Sequence, residues 1–349
     1  MTPSAISPSA SPPPSKGETV ENTIIPLRKT LTSESAPLAH RFRALFSLKH
    51  YASQQPSTPL TQPAIVAIAA AFPSPSALLK HELAYCLGQT KHLEAVPYLK
   101  KVLEDKGEDA MCRHEAAEAL GALGDEGSLG ILKEMRDDAE EVEVVRETCE
   151  IAVARIVWEH SGRKKSERLR DSDFASIDPA PSLAQAAHRF SIDELQERLL
   201  DTSLTLFERY RAMFALRDLA SPPDLPSAIP AVEALASGFS DSSALFRHEI
   251  AFVFGQLSHP ASLPSLRSTL SNRSEESMVR HEAAEALGSL GDEDGVEDFL
   301  RTFLNDPEQV VRESVVVALD MAEFEKKGDK EYAILPEGQG FSPFAKIKG

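Results

Sequence analysis

The sequence predicts an all-α fold, an α-solenoid of stacked helix pairs in two homologous halves that face each other about a pseudo-two-fold axis. Three observations predict it. A unit of about 33 residues repeats along the chain. Apolar residues such as Ala117, Leu120 and Leu123 recur at helical spacing within a unit, and no alternating strand pattern is found. Finally, the four units of residues 23–160 recur as a second set at 191–325.

Each unit is predicted to be a pair of helices joined by a polar turn. The first helix is short and apolar, as in residues 95–105 and 262–272. The second helix is represented by residues 114–124, where Gly121 and Gly124 mark the end because glycine commonly terminates helices.

The two halves match closely enough to be homologous. Residues 111–129 and 278–296 share the phrase RHEAAEALG. Residues 78–89 and 245–256 share their charge, their apolar pattern and a Gly-Gln ending. The last unit of each half keeps the repeated arginine but carries a glutamate where the central units carry a histidine.

Three segments fall outside the repeats. Residues 1–22 are rich in proline and serine and lack the apolar core of a signal peptide, so they are predicted to be a disordered tail. Residues 161–190 are charged and aperiodic, which predicts an exposed linker between the lobes. Residues 326–349 lose the repeat and are predicted to be a flexible tail.

The composition limits the partners and the compartment. A net charge of −17 argues against a nucleic-acid-binding protein and favours a basic partner, with a role in solubility alone as the simpler alternative. No apolar run is long enough to span a bilayer, so no membrane partner is expected. Three cysteines without a C-x-x-C pair favour buried thiols in a reducing compartment. We expect a cytoplasmic protein, with the nucleus as a second location.

A His-Glu dipeptide occurs four times, twice in each half. The two copies within a half are 33 residues apart, and each lies 167 residues from its counterpart. Equivalent positions of a helical repeat face the same way, so the four dipeptides should begin the second helices and line one face. They are His81-Glu82, His114-Glu115, His248-Glu249 and His281-Glu282.

Four imidazoles and four carboxylates that converge on one cleft favour a metal centre. Without thiolates, they suit non-haem iron or manganese better than structural zinc, and six ligands would give each of two metals two histidines and one carboxylate. The alternative is that the histidines are surface or capping residues and that the glutamates are favoured by the helix dipole. The outer units keep the apolar stripe but lose the histidine, which separates the histidines from the packing pattern.

These residues also carry a family resemblance. HEAT-like repeats with two His-Glu dipeptides per half, over residues 23–325, resemble deoxyhypusine hydroxylases. The resemblance implies a di-iron monooxygenase that uses molecular oxygen to hydroxylate the deoxyhypusine side chain of a translation initiation or elongation factor to hypusine. It further implies two Fe²⁺ ions per chain, an external reductant and a monomer.

The resemblance implies a role for each of the eight residues, and no catalytic residue beyond the metal centre. The residues alone leave open whether the first glutamate of each half binds metal or substrate. One iron would be held by His81, His114 and Glu115, and the other by His248, His281 and Glu282. The substrate would be bound by Glu82 and Glu249.

Two other hypotheses stay open on the sequence. A non-catalytic HEAT scaffold would bind a protein partner through its concave face and would not depend on the histidines. A HEAT-like lyase for a tetrapyrrole chromophore would share the repeat but would not require the symmetric set of His-Glu dipeptides.

Overall fold

The computed structural model describes residues 18–162, 164, 174, 176–183 and 190–326. Of these, residues 324–326 are described by their backbone only. The predictions for the N-terminal and C-terminal tails fall almost wholly outside these residues. The described chain is an all-α solenoid of eight helix pairs, as predicted. None of its helices is long and apolar enough to cross a membrane.

Each half of the chain forms a lobe of four helix pairs. The even-numbered helices are the second members of the pairs and are called the inner helices. The N-terminal lobe contains α1 (Ile25–Leu31), α2 (Leu38–Ala52), α3 (Thr61–Ala69), α4 (Ala77–Gly88), α5 (Val96–Glu104), α6 (Ala110–Leu123), α7 (Leu129–Asp137) and α8 (Glu143–His160). The C-terminal lobe contains α9 (Ile192–Leu200), α10 (Leu206–Leu219), α11 (Ala228–Ala236), α12 (Ala244–Leu257), α13 (Leu263–Ser271), α14 (Ser277–Gly288), α15 (Val296–Arg301) and α16 (Gln309–Lys326).

The inner helices have clear starts and pack closely side by side. The side chains of Ser76, Asp109 and Ser243 cap α4, α6 and α12 by accepting a hydrogen bond from a backbone amide of the first turn. A Cβ placed at Gly88 of α4 would lie 2.7 Å from the Cα of Ala119 in α6. Only glycine permits this approach, which sets the spacing of the helices that carry the dipeptides.

An arginine repeated on four inner helices ties each helix to its surroundings. Arg280 donates from Nε to the Leu270 carbonyl at 3.0 Å and from both terminal nitrogens to the Asp306 carboxylate. The side chains of Arg280 and Asp306 are each only 2% exposed. The same combination of a carbonyl and a carboxylate is bound by Arg41, Arg113 and Arg209.

Replacing Arg280 with alanine should lower the free energy of unfolding by about 3–5 kcal/mol, because the Asp306 carboxylate would remain buried without its partner. Urea unfolding of the metal-free protein measures this change without a contribution from metal loss. Arg301→Ala is the control, since Arg301 is 56% exposed and its pair with Glu297 should contribute less than about 1 kcal/mol. Equal losses in the two variants would contradict the prediction.

The two lobes face each other and touch at both ends, so that the solenoid closes into a ring. Helix α2 packs against α16, and α8 packs against α10. Ser76 Oγ donates to Glu313 Oε2 at 2.7 Å, and its counterpart Ser243 Oγ donates to Glu147 Oε2 at 2.7 Å. The glutamates that replace histidine in the last unit of each half therefore join the lobes in a two-fold arrangement.

The described residues 174 and 176–183 of the linker are buried or partly buried, whereas residues 162 and 164 are exposed. The prediction of an exposed segment is therefore wrong for residues 174 and 176–183. Phe174 is 5% exposed and Ala180 is fully buried. Asp178 forms an ion pair with Arg217, whose side chain has no exposure to solvent. The charge of the segment suggested a solvated loop, but part of that charge is the partner of a buried cation.

Candidate metal centre

The four His-Glu dipeptides lie together at the centre of the ring, on α4, α6, α12 and α14. Each histidine is the fifth residue of its helix, in the second turn, and not at the start as predicted. The start of the helix, where the dipeptides were expected, is occupied instead by the capping residues. The glutamates are therefore too far along the helix to be explained by a preference for the first turn.

The four histidine rings form one compact cluster with members from both lobes. The ring of His81 lies 5.3 Å from that of His114, 5.8 Å from that of His248 and 5.3 Å from that of His281, centroid to centroid. The ring of His248 lies 5.4 Å from that of His114 and 5.3 Å from that of His281. None of the four residues is more than 6% exposed.

Almost every ring nitrogen in this cluster lacks a hydrogen-bond partner within the described part of the chain. The buried unpartnered atoms include Nε2 of His81 and both ring nitrogens of His114, His248 and His281. Native proteins rarely bury so many unsatisfied polar atoms without a ligand or metal. Neutral imidazole nitrogens are common metal ligands, so this donor set fits a metal centre.

Carboxylates lie beside the histidines in both lobes. Glu115 Oε2 is 3.3 Å from His81 Nε2, and Glu282 Oε2 is 3.5 Å from His248 Nε2. In each lobe the second dipeptide thus places its glutamate against the histidine of the first. One donor atom from each of His81, His114 and Glu115 lies within 4.8 Å of the others.

The structure also forms groups that the sequence prediction did not contain. His81, His248 and His281 come within the same 4.8 Å of one another across the lobes, as do His281, Glu282 and Glu285 within the C-terminal lobe. Of the two predicted sets, that of the N-terminal lobe forms such a group, whereas His248, His281 and Glu282 do not form a group by themselves among the described residues. The histidines of the two predicted sets are close enough to form one continuous centre.

Two further glutamates of the cavity were missed by the sequence prediction. Glu118 and Glu285 follow His114 and His281 by one helical turn, and both line the cavity beside the cluster. Glu285 Oε1 accepts from Ser314 Oγ at 3.0 Å and lies 3.5 Å from His281 Nδ1. The phrase RHEAAEALG contains this glutamate in both halves, so the signal was present in the repeat.

The cavity beside the histidines is a narrow space of about 30 Å³ with an acidic and an apolar wall. Glu82 and Glu249 line it and are only 8% and 2% exposed. Neither belongs to a possible metal-binding group of the described residues. The apolar wall is formed by Phe42, Phe46, Tyr85, Phe252, Val317 and Met321.

Burial shifts the pKa values of these groups in opposite directions. It lowers the pKa of all four histidines, which favours the neutral imidazole that binds metals. Burial raises the pKa of Glu82 and Glu285 to about 7 and that of Glu115 to about 8. Burial also raises the pKa of Glu118, Glu249 and Glu282 well above the ordinary value. So many buried carboxylates require cations if they are to be ionised together.

The metal-free protein should lose stability as the pH rises from about 7 to about 8. Glu115 has a pKa of about 8 in the folded protein and an ordinary value near 4.5 when unfolded. The folded state therefore binds more protons than the unfolded state, and the free energy of unfolding falls as the pH increases. The histidines contribute little, because this range lies above their ordinary pKa.

The melting temperature of the metal-free protein across this range measures the effect. The metal-loaded protein is the matched comparison, since bound cations keep the carboxylates ionised and should remove the slope. A melting temperature that rises with pH in the metal-free protein would contradict the burial of these carboxyl groups.

Comparison with known proteins identifies the family. The HEAT repeat family matches residues 63–154 and 230–320. Deoxyhypusine hydroxylase of Phaeosphaeria nodorum is 70% identical to the chain, over 93% of this chain and 99% of that protein. The chain belongs to the deoxyhypusine hydroxylase family. Deoxyhypusine hydroxylase of Neurospora crassa is 66% identical over 90% of this chain and 97% of its own length.

A solved structure supports the same family membership. The structure of human deoxyhypusine hydroxylase in complex with glycerol is 44% identical to the chain and superposes with a TM-score of 0.76. The match covers 87% of this chain and 97% of the human one. As a member of the deoxyhypusine hydroxylase family the chain is an enzyme, a monooxygenase, as predicted from the sequence. The scaffold and lyase hypotheses are therefore set aside.

Proposed function

We propose that the protein hydroxylates the deoxyhypusine side chain of a translation initiation or elongation factor to hypusine, at a di-iron centre held between the two lobes. The observation that carries the proposal is the cluster of four buried histidine rings, two from each lobe. Their unpartnered nitrogens, with carboxylates beside them, are the donor types that non-haem iron oxygenases use.

Six residues would hold the two metals, and each set would contain two imidazoles and one carboxylate. When bound, the iron pair would supply the redox chemistry that activates molecular oxygen. Glu285, beside Nδ1 of His281, would orient that ring, and its own carboxylate is fixed by Ser314. The proposed sets are His81, His114 and Glu115 in one lobe and His248, His281 and Glu282 in the other.

Glu82 and Glu249 would bind the ammonium groups of the substrate. Deoxyhypusine is a long, flexible side chain with amine cations, and the two glutamates are buried in the wall of the same cavity. A buried carboxylate attracts an ammonium group more strongly than an exposed one, because the surroundings screen the charges less. Fixing both cations would hold the intervening carbon chain beside the metal centre, which lowers the entropic part of the barrier.

The apolar wall would bind the carbon chain of the substrate. The rings of Tyr85 and Phe252 lie 6.0 Å apart, centroid to centroid, at equivalent positions of the two lobes. They stand one turn after the first histidine of each lobe, where the second histidine has a glutamate instead. Aromatic surfaces at this position would exclude water from the methylene groups.

The partners follow from the charge and from the reaction. A net charge of −17 would attract a basic segment of the translation factor to the cavity. Monooxygenation places one oxygen atom in the substrate and the other in water, so two electrons must come from an external reductant. We place the enzyme in the cytoplasm, and secondarily in the nucleus, as a monomer without a nucleic-acid or membrane partner.

An oxygen-dependent assay tests the proposal. The purified enzyme, loaded with ferrous iron and supplied with a reductant, should convert a deoxyhypusine-bearing factor to the hypusine form, with the gain of one oxygen atom in the mass of the modified peptide. Isotopically labelled oxygen gas should label the product. Product that takes its oxygen from water, or an unchanged factor with a fully metal-loaded enzyme, would overturn the proposal.

A further inference from the structure

The Gly-Gln endings of α4 and α12 bind the same segment of the linker. Gln89 Oε1 accepts from the Ile177 amide at 2.6 Å, and Gln89 Nε2 donates to the Ile177 carbonyl at 3.3 Å. Gln256, its counterpart in the second half, donates from Nε2 to Ser176 Oγ at 2.7 Å. Residues 176–183, which we call the strap, are thus attached to both lobes at the ends of the helices that carry the first histidines.

A buried arginine fixes the strap further. Arg217 donates to the two carboxylate oxygens of Asp178 at 2.8 Å each and to Gln256 Oε1 at 2.9 Å. Its guanidinium lies 4.3 Å from the ring of Phe174 and 4.8 Å from the ring of Phe214. A charge pair with a fully buried cation and several hydrogen bonds is held in one geometry, so the strap is a fixed part of the ring.

The strap breaks the two-fold symmetry of the junctions between the lobes. At the α2–α16 junction, Arg43 donates to both carboxylate oxygens of Asp320, at 2.9 and 2.7 Å. Its counterpart Arg211, at the α8–α10 junction, donates instead to the Pro181 carbonyl at 3.1 Å, and its own carbonyl accepts from the Leu183 amide at 3.2 Å. Both junctions join helix to helix, but among the described residues only the α8–α10 junction also holds the strap.

The cavity beside the histidines extends toward the junction without the strap. Phe42 and Phe46 of α2 and Val317 and Met321 of α16 form its wall on that side. As far as the structure describes the chain, the equivalent residues of α10 and α8 are absent from the lining. The histidine cluster is nearly two-fold symmetric, but the residues that line the cavity beside it are not.

We propose that the strap closes one of two symmetry-related entrances to the centre, so that the deoxyhypusine side chain enters only from the side lined by α2 and α16. This inference rests on the proposed function, because it concerns the route of that substrate. A single entrance would keep water from Glu82 and Glu249, and it would give the substrate one direction of entry into a site with two nearly equivalent halves. Excluding water on the closed side would also strengthen the attraction between the carboxylates and the ammonium groups of the substrate.

The double variant Gln89→Ala with Gln256→Ala tests the proposal, since it removes the bonds that join the strap to α4 and α12 and leaves the strap held by α10. Neither glutamine lines the cavity. Gln309→Ala is the matched control, because Gln309 is exposed and bonds only to Glu313 on its own helix among the described residues. The milder single variant Gln89→Ala serves if the double variant does not fold.

Two measurements on the iron-loaded enzyme decide the outcome. We expect a bulky iron chelator to remove metal at least about threefold faster from the double variant, and the KM for the deoxyhypusine-bearing factor to rise by about the same factor with little change in kcat, because water then reaches the carboxylates. Chelation rates and KM values equal to those of the control would overturn the proposal.

The result is independent of whether the proposed function is correct. If the wild-type enzyme held iron but formed no hypusine, the proposed function would fail, and the chelation comparison would still decide the role of the strap. Hydrogen exchange gives the same comparison in metal-free protein: amides at the end of α4, around residues 85–89, should exchange faster in the double variant than in the control. Equal exchange there would count against the strap as a closure.

Discussion

Replacing His114 with alanine should abolish hydroxylation and remove iron from one of the two positions. His114 is fully buried, and both of its ring nitrogens lack a hydrogen-bond partner in the described chain, so no other role accounts for its placement. Loss of a residue that merely supports a ligand costs about 10–100-fold in metal affinity or activity, and loss of a ligand should cost more. Iron content per chain and single-turnover hydroxylation measure the two effects.

His160→Ala is the control for this variant. His160 ends α8, is 44% exposed in its side chain, and contacts the Gly124 carbonyl at 2.8 Å and the exposed Glu126 carboxylate at 3.7 Å, so iron content and turnover should not change. The metal-free His114→Ala protein should still melt cooperatively, since the substitution removes an unpaired polar group from the core. Full iron content in folded His114→Ala would contradict the role assigned to this histidine.

Glu82→Gln should keep iron but weaken substrate binding, whereas Glu115→Gln should lose iron. Glu115 Oε2 lies 3.3 Å from His81 Nε2 within a possible ligand group, while Glu82 lines the cavity outside any such group. Removing the charge of a buried hydrogen-bonding carboxylate costs about 1.5–3 kcal/mol, which corresponds to a rise of about 10–100-fold in KM. Iron content separates the two variants, and the KM of Glu82→Gln measures the lost contact.

Glu249→Gln is the matched variant in the other lobe and should resemble Glu82→Gln. Both residues occupy the same position of the repeat and line the same cavity. The division of the glutamates into metal ligands and substrate contacts would be wrong if Glu82→Gln lost as much iron as Glu115→Gln.

The sequence predicts the fold and the residues of the centre because the patterns that indicate both recur from unit to unit. The recurring apolar stripe and the glycine endings define the inner helices, and the selective loss of histidine from the outer units marks the four dipeptides. Comparison of the two halves could also have found Glu118 and Glu285, since each copy of RHEAAEALG contains one of them at the same position. The His-Glu pair alone does not include the glutamate one helical turn after each histidine.

Other features arise from contacts between distant parts of the chain. Ser76 and Glu313 are 237 residues apart, and no local pattern indicates that they join the ends of the two lobes. The linker is charged and aperiodic, and its burial depends on Arg217, which lies 39 residues beyond Asp178. The repeat predicts the structure of each unit, but the closure of the ring depends on contacts between residues that are far apart in the chain.

The metal content of the protein purified without added metal tests the central claim most directly. The claim is that four histidine rings hold two iron ions together with Glu115 and Glu282. Three of these rings lie within 5.8 Å of the fourth, that of His81, centroid to centroid. Elemental analysis should find about two irons per chain, as two histidines and one carboxylate per metal require. Metal content near zero, even after anaerobic reconstitution with ferrous iron, would contradict it.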